Sequence, residues 1–170
     1  TTPNLLTIFT YNRTISLQTS WEISTLDKSG HIGVTLFDFN NDGLHEIIFR
    51  DESHLQVYRS YGNIKRRIGN VPCPSWTQKE YPIITTTDVS GESKICVPCT
   101  AEVSFRGAKL TIFGSKDDNK WAPSRGVWNQ YSYNPLFIND NLTIPQFQQN
   151  AANYQNKKYD NFYTQSNIID

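Results

Sequence analysis

An all-β fold is what the sequence predicts, on three observations. Aromatic residues make up 13% of the chain. With abundant Thr, Ile and Val and little Leu or Ala, that composition suits pleated, half-buried strands. Short alternating runs also end repeatedly in turn chemistry. Finally, one such run occurs three times: LLTIFTY (5–11), HLQVYRSYG (54–62) and KLTIFGSKD (109–117). Each sets Leu, one residue, Ile or Val, then an aromatic: Leu6/Ile8/Phe9, Leu55/Val57/Tyr58 and Leu110/Ile112/Phe113. Leu6 and Leu55 are 49 residues apart, Leu55 and Leu110 are 55 apart. A period of about 40–50 residues built only from short strands points to propeller blades.

Taken in order, residues 1–25 supply the outer two strands of one blade. Residues 31–72 make a full blade, with strands at 32–38, 45–50, 54–60 and 63–69. Residues 81–120 make another, with an inserted loop, CTAEVSFRGA (99–108), before its third strand. The expected architecture is therefore a partial β-propeller of about two and a half four-stranded blades. Closed rings need roughly four to eight, so the remaining blades are expected elsewhere in a larger protein. From 121 to 170 the pattern changes. WAPSRGVWNQYSYNPLFINDNLTIP is aromatic with proline breaks and reads as an irregular segment lying on the propeller. Beyond about 150, Asn and Gln dominate, and a loop, a short helix or a linker is expected.

Totals narrow the function. The chain has 170 residues, with 16 basic and 16 acidic side chains. That balance, without a Lys/Arg stripe among aromatics, argues against nucleic acid as a partner. No apolar run is long enough to span a bilayer, so no membrane insertion by this segment is expected.

The stretch LFDFNNDGLHEIIF (36–49) carries the clearest chemistry. With Asp38 as position 1, Asn40 is 3, Asp42 is 5, Gly43 is 6, Leu44 is 7 and Glu46 is 9. Side-chain oxygens at 1, 3, 5 and 9 and a backbone carbonyl at 7 form a hard-oxygen set suited to Ca²⁺. An EF-hand would need a bidentate Glu at position 12 and a helix after it, whereas Phe49 stands there inside a β-run. The alternative is a hairpin turn held by its own side chains, with no ion. The second copy, DVSGESK, keeps Asp88, Ser90 and Gly91 but is shorter and has Lys94 at the last acid's place. Its ammonium can supply the charge an ion would bring, and no metal is expected.

DFNNDGLHEIIF resembles the motif of FG-GAP (VCBS) repeats, the calcium-loop blades of integrin-α-like propellers. The likeness covers about residues 1–120 and is stronger in the first full blade than in the second. The segment from Trp121, through WNQY, IND and LTIP, resembles one that follows such repeats in large bacterial surface proteins of Bacteroidetes type. The resemblance implies a secreted or cell-surface, adhesin-like protein whose calcium ligands are Asp38, Asn40, Asp42, the Leu44 carbonyl and Glu46. A calcium-stabilised, non-catalytic module for recognition or support follows, with a glycan or protein ligand as partner. The alternatives are the propeller of an extracellular polysaccharide-degrading enzyme and a purely architectural spacer.

His31, His45 and His54 belong to no recognisable catalytic motif. Trp121, Trp128, Tyr131 and Tyr133 could form a platform for sugar rings, with Asn129 and Gln130 reading hydroxyls, or could pack against the propeller. Arg125 could stack on a Trp or pair with Asp140. CVPC lacks both the further ligands of a zinc site and the helix of a redox motif. Aligning the blades puts Cys96 at the strand position of Ile48. A Cys73–Cys99 disulfide with Cys96 as a core thiol is therefore expected. Asn12-Arg13-Thr14 and Asn141-Leu142-Thr143 fit the glycosylation sequon.

Overall fold

The computed structural model describes residues 4–12, 16–61, 64–75, 80–100, 108–116, 118–146 and 165. It is all-β, with three antiparallel sheets following one another along the chain. The first pairs β1 (Asn4–Asn12) with β2 (Ser16–Thr25). The second is a four-stranded meander of β3 (Val34–Phe37), β4 (Glu46–Arg50), β5 (His54–Tyr61) and β6 (Ile64–Pro72). The third joins β7 (Ile83–Thr86), β8 (Ser93–Thr100) and β9 (Ala108–Phe113).

The second sheet reproduces the expected strand order, with β6 running three residues further than its alternation suggested. The third holds three strands among the described residues, not the four of a complete repeat. After Phe113 the chain reads Gly-Ser-Lys, then two acids, one amide and Lys120, which offer no alternating apolar face to extend the sheet. Most of the expected inserted loop (101–107) lies outside the described residues.

Strand edges follow from local chemistry. In β4 all five residues are buried because both faces are covered, which explains its unbroken apolar run Ile47–Phe49. Its flanking charges, Glu46 and Arg50, are buried with it and must be paired. Gly33 comes just before β3, where Tyr81 crosses so closely that a Cβ would lie 2.1 Å from the Tyr81 Cβ. Only glycine fits that approach.

Two apolar clusters hold the sheets face to face. Trp21 and Ile23 of β2 pack with Ile47, Phe49 and Tyr58 of the second sheet, with Leu6 and Ile8 alongside. On the second sheet's other face, Phe37, Ile48 and Leu55 pack with Ile84, Ile95 and Val97 of the third. Fully burying one such side chain contributes about 1.5–3 kcal/mol, so these two seams dominate the stability of the stack. Phe49 and Tyr58 stack within the first seam, centroids 5.9 Å apart, and Tyr58 meets Trp21 at 6.4 Å.

Residues 121–146 contain no strand, only a bridge from Pro123 to Glu92 and a 3₁₀ turn at Pro135–Phe137. Asn134 caps that turn by accepting from the Leu136 amide. Beyond 150 one residue is described, and it lies outside any strand or helix. Gln165 is fully buried. Its amide donates to the Leu36 carbonyl of β3, and its Nε2 reaches the carbonyls of Ile84, Arg125 and Val127.

Candidate functional site

The loop between β3 and β4 is built by backbone geometry first. Asn41 and Gly43 take positive φ, 57° and 85°, which curls the chain back on itself. The Asp38 carboxylate, 4% exposed, then lies under the turn and accepts from the Asp42 and Gly43 amides at 3.1 and 2.7 Å. Asp42 accepts from the Asn40 side-chain amide and the Leu44 backbone amide, both at 2.9 Å. Those two bonds hold its carboxyl below the usual carboxylate range, the Asn40 bond first. Leu44 is exposed at the tip.

Glu46 behaves differently. It is fully buried and accepts from the Phe39 amide at 2.9 Å. Its other oxygen receives Nε and Nη2 of Arg59. The same guanidinium reaches Asp42 at 3.6 Å. Burial pushes the Glu46 carboxyl up, against the opposing pull of the Phe39 amide and Arg59. The five sequence-predicted residues therefore share one loop, but its deepest carboxylate is already neutralised by a side-chain cation.

Arg59 is the residue sequence reasoning missed. Its signal was present in the hairpin register: Ile47 pairs with Tyr58, so Glu46 and Arg59 come next on facing strands. Opposite charges placed so attract.

The oxygen donors suit a hard cation in chemical type. Among the described residues no three acidic, His or Cys side chains converge to hold an ion unaided. Any ion here would draw on Asp38 and Asp42, the Asn40 amide oxygen and the Leu44 carbonyl.

The second loop uses the same economy of charge. Asp88 accepts from the Ser90 amide at 2.9 Å and from its hydroxyl. Lys94 turns to Glu92 at 2.6 Å. Ser115 and the Trp121 amide also donate to Glu92. Its carboxyl is pulled down to about 2, chiefly by the Lys94 and Ser115 bonds.

Trp128, Tyr131 and Tyr133 join one ring cluster through Tyr81, which meets Trp128 at 6.1 Å, while Trp121 stands apart. Trp121 packs on Phe39 at 4.5 Å, next to the metal-type loop. Trp128 stacks on Tyr133 at 4.5 Å, and Tyr131 meets Tyr81 edge-on at 4.7 Å. Tyr133 is fully buried, so it is removed from the candidate ligand surface. Its hydroxyl is the reason: it donates to Gln165 and accepts from Arg125, a polar network that needs the interior. Only Tyr131 of the four is well exposed. Arg125 pairs with Asp140 and donates to the Pro135 and Ile138 carbonyls, so it does not stack on a Trp.

The remaining candidates resolve simply. Cys73 and Cys99 are joined in a disulfide, and Cys96 is a buried free thiol whose pKa burial raises. His54 does touch a serine, Ser53, at 2.8 Å, and Ser53 donates to Asp51. The serine sits between the other two, and Asp51 chiefly caps the turn through the Ser53 and His54 amides. A catalytic triad needs the histidine in the middle.

The fold and site define an all-β protein of stacked antiparallel sheets carrying an acidic hairpin loop. No known family profile matches the chain, and no curated protein does either. A solved structure, that of the V. cholerae biofilm matrix protein Bap1, superposes with a TM-score of 0.73 at 23% identity. The match takes in 90% of this chain and 25% of that one. At this identity the likeness is one of fold, and the chain spans a quarter of that protein's length.

Proposed function

We propose that the chain is a calcium-stabilised, non-catalytic segment of a β-propeller in a secreted or cell-surface adhesin-like protein, serving recognition or support. One observation carries the repeat reading. The β1–β2 pairing shifts register between Ile8 and Phe9, and the β5–β6 pairing shifts between Val57 and Tyr58. These are equivalent positions 49 residues apart, so the bulge recurs with the sequence motif, as expected of equivalent strands in successive blades. The fold likeness to a biofilm matrix protein supports the extracellular, structural side of the reading.

Calcium would tie the β3–β4 hairpin through Asp38, Asn40, Asp42 and the Leu44 carbonyl, with Glu46 and Arg59 as the charged floor beneath. Its contribution would be loop order and stability. At the affinities usual for extracellular modules, millimolar calcium would saturate it.

The test is the thermal midpoint with millimolar calcium and with chelator, for the wild type, Asp38→Ala and Asp42→Ala. A calcium-dependent rise that Asp42→Ala abolishes is expected. Asp38→Ala should lower the midpoint even in chelator, because it strips acceptors from two amides. A wild type indifferent to calcium would leave the loop a self-capped turn.

A further inference from the structure

β6 is the outermost strand of the second sheet, paired with β5 on one side and with no strand on the other among the described residues. Like any sheet edge, its free side offers unpaired amides and carbonyls. Charge sets it apart. Ile64, Lys65, Arg66, Arg67 and Ile68 are consecutive and all exposed. The chain balances 16 basic against 16 acidic residues. Yet among the described residues no carboxylate pairs with any of these three cations.

The register places that charge around the edge. Arg66 stands opposite Arg59 of β5, while Lys65 and Arg67 stand opposite Ser60 and Tyr58. Side chains alternate between faces, so Lys65 and Arg67 flank the edge from one side and Arg66 from the other. Like charges directly opposite repel. Arg59 spends its charge on Glu46 and Asp42, which leaves Arg66 as surplus positive charge beside it. The three cations give the sheet no ion pair in return.

Lysines on an edge strand commonly guard against edge-to-edge aggregation. Two observations go beyond a guard. β2 follows the first copy of the Leu-x-Ile/Val-aromatic motif as β6 follows the second, and it too is an edge. Its sequence, SLQTSWEIST, holds one acid and no Lys or Arg, so the fold tolerates an edge without cations. Moreover, exposed Ile64 and Ile68 bracket the charges, and bare isoleucines invite contact. The sheets stack through their faces. Further blades stacked the same way would therefore leave this rim edge open.

We infer that the β6 edge docks an extended acidic peptide segment of a partner protein. The segment adds as a strand to the free backbone edge and sets carboxylates opposite Lys65, Arg66 and Arg67. An added strand presents side chains alternately to both faces, which matches cations on both. A second copy of β6 is repelled by its own charge. An acidic polysaccharide matches the charge but has no amide ladder with which to use the edge. Nothing in this assignment depends on calcium.

The test uses a labelled synthetic peptide with three consecutive Glu between Thr-Val-Thr flanks, followed by fluorescence anisotropy at low ionic strength. The same peptide with Lys for Glu, and polygalacturonate, serve as comparisons. The Glu peptide should bind, and its affinity should fall with added salt, since the charges are exposed. Hydrogen exchange should slow at β6 amides when it binds. Lys65→Glu with Arg66→Glu and Arg67→Glu should weaken binding by about tenfold or more and admit the Lys peptide instead. Circular dichroism checks that this variant folds, and the exchange measurement on the wild type decides the matter without it. A wild type that ignores the Glu peptide, or that binds polygalacturonate in its place, would overturn the inference. So would peptide binding that leaves β6 exchange unchanged, or a folded triple variant that binds as the wild type does.

Discussion

Arg59 places its guanidinium on the fully buried carboxylate of Glu46 while also reaching Asp42, 3.6 Å away at the loop surface. The pair links β5 to the acidic loop, so the loop's charge is balanced partly from within the sheet. A buried carboxylate that loses such a partner is left with its desolvation penalty uncompensated.

Arg59→Ala is therefore expected to cost roughly 3 kcal/mol at neutral pH. The pH dependence has a definite sign. Burial already raises the folded-state pKa of Glu46 above its unfolded value, so its protonated form favours the native state. Removing Arg59 raises that pKa further, and stability falls as pH rises through it. Urea denaturation at pH 5 and pH 7.5 should show the larger deficit at pH 7.5. An equal deficit at both would mean that Glu46 does not carry the effect.

Glu92 has the opposite sign. Its folded-state pKa is lowered to about 2, chiefly by Lys94 and Ser115. It contributes stability that is present above its unfolded pKa, near 4.5, and lost as pH falls toward 2. The stability difference between wild type and Glu92→Gln should shrink between pH 5 and pH 2. Lys94→Met should move the acid-unfolding midpoint upward. A gap that stays constant over that range would refute the assignment.

The Cys73–Cys99 bridge ties the end of β6 to β8 across a sequence separation of 26. Closing a loop of that length in the unfolded chain corresponds to about 3.5 kcal/mol in the chain-entropy account. Cys73→Ser with Cys99→Ser should lower the urea midpoint accordingly without changing the strand signal in circular dichroism. Labelling with a thiol reagent under native conditions should leave Cys96 unmodified, because it is buried. Rapid labelling of the native protein would contradict that burial.

Gln165 bonds through its side chain to Ile84, Arg125, Val127 and Tyr133. Gln165→Ala would leave those buried groups without that partner, a loss of roughly 2 kcal/mol. Tyr133→Phe, which removes one hydroxyl of the same network, should cost less. The double variant should fall short of the sum, because both changes act on one shared bond. Strict additivity would show that Tyr133 and Gln165 are not coupled.

The sequence by itself determined the strands of the second sheet, the turn at Gly43 and the partition of the cysteines. These rest on information held within a few residues: period-two alternation, a glycine at a positive-φ turn, and the alignment of one repeat on the next. The tertiary structure alone decided which aromatics are available. Tyr133 is buried and Tyr131 exposed, although they stand two residues apart in an irregular segment with no period to read. It also decided that Gln165 returns to the sheets and that Arg59 occupies the loop's floor. Such contacts join segments whose separation no local pattern records. Their cause is the requirement that every buried charge, carbonyl and amide find a partner.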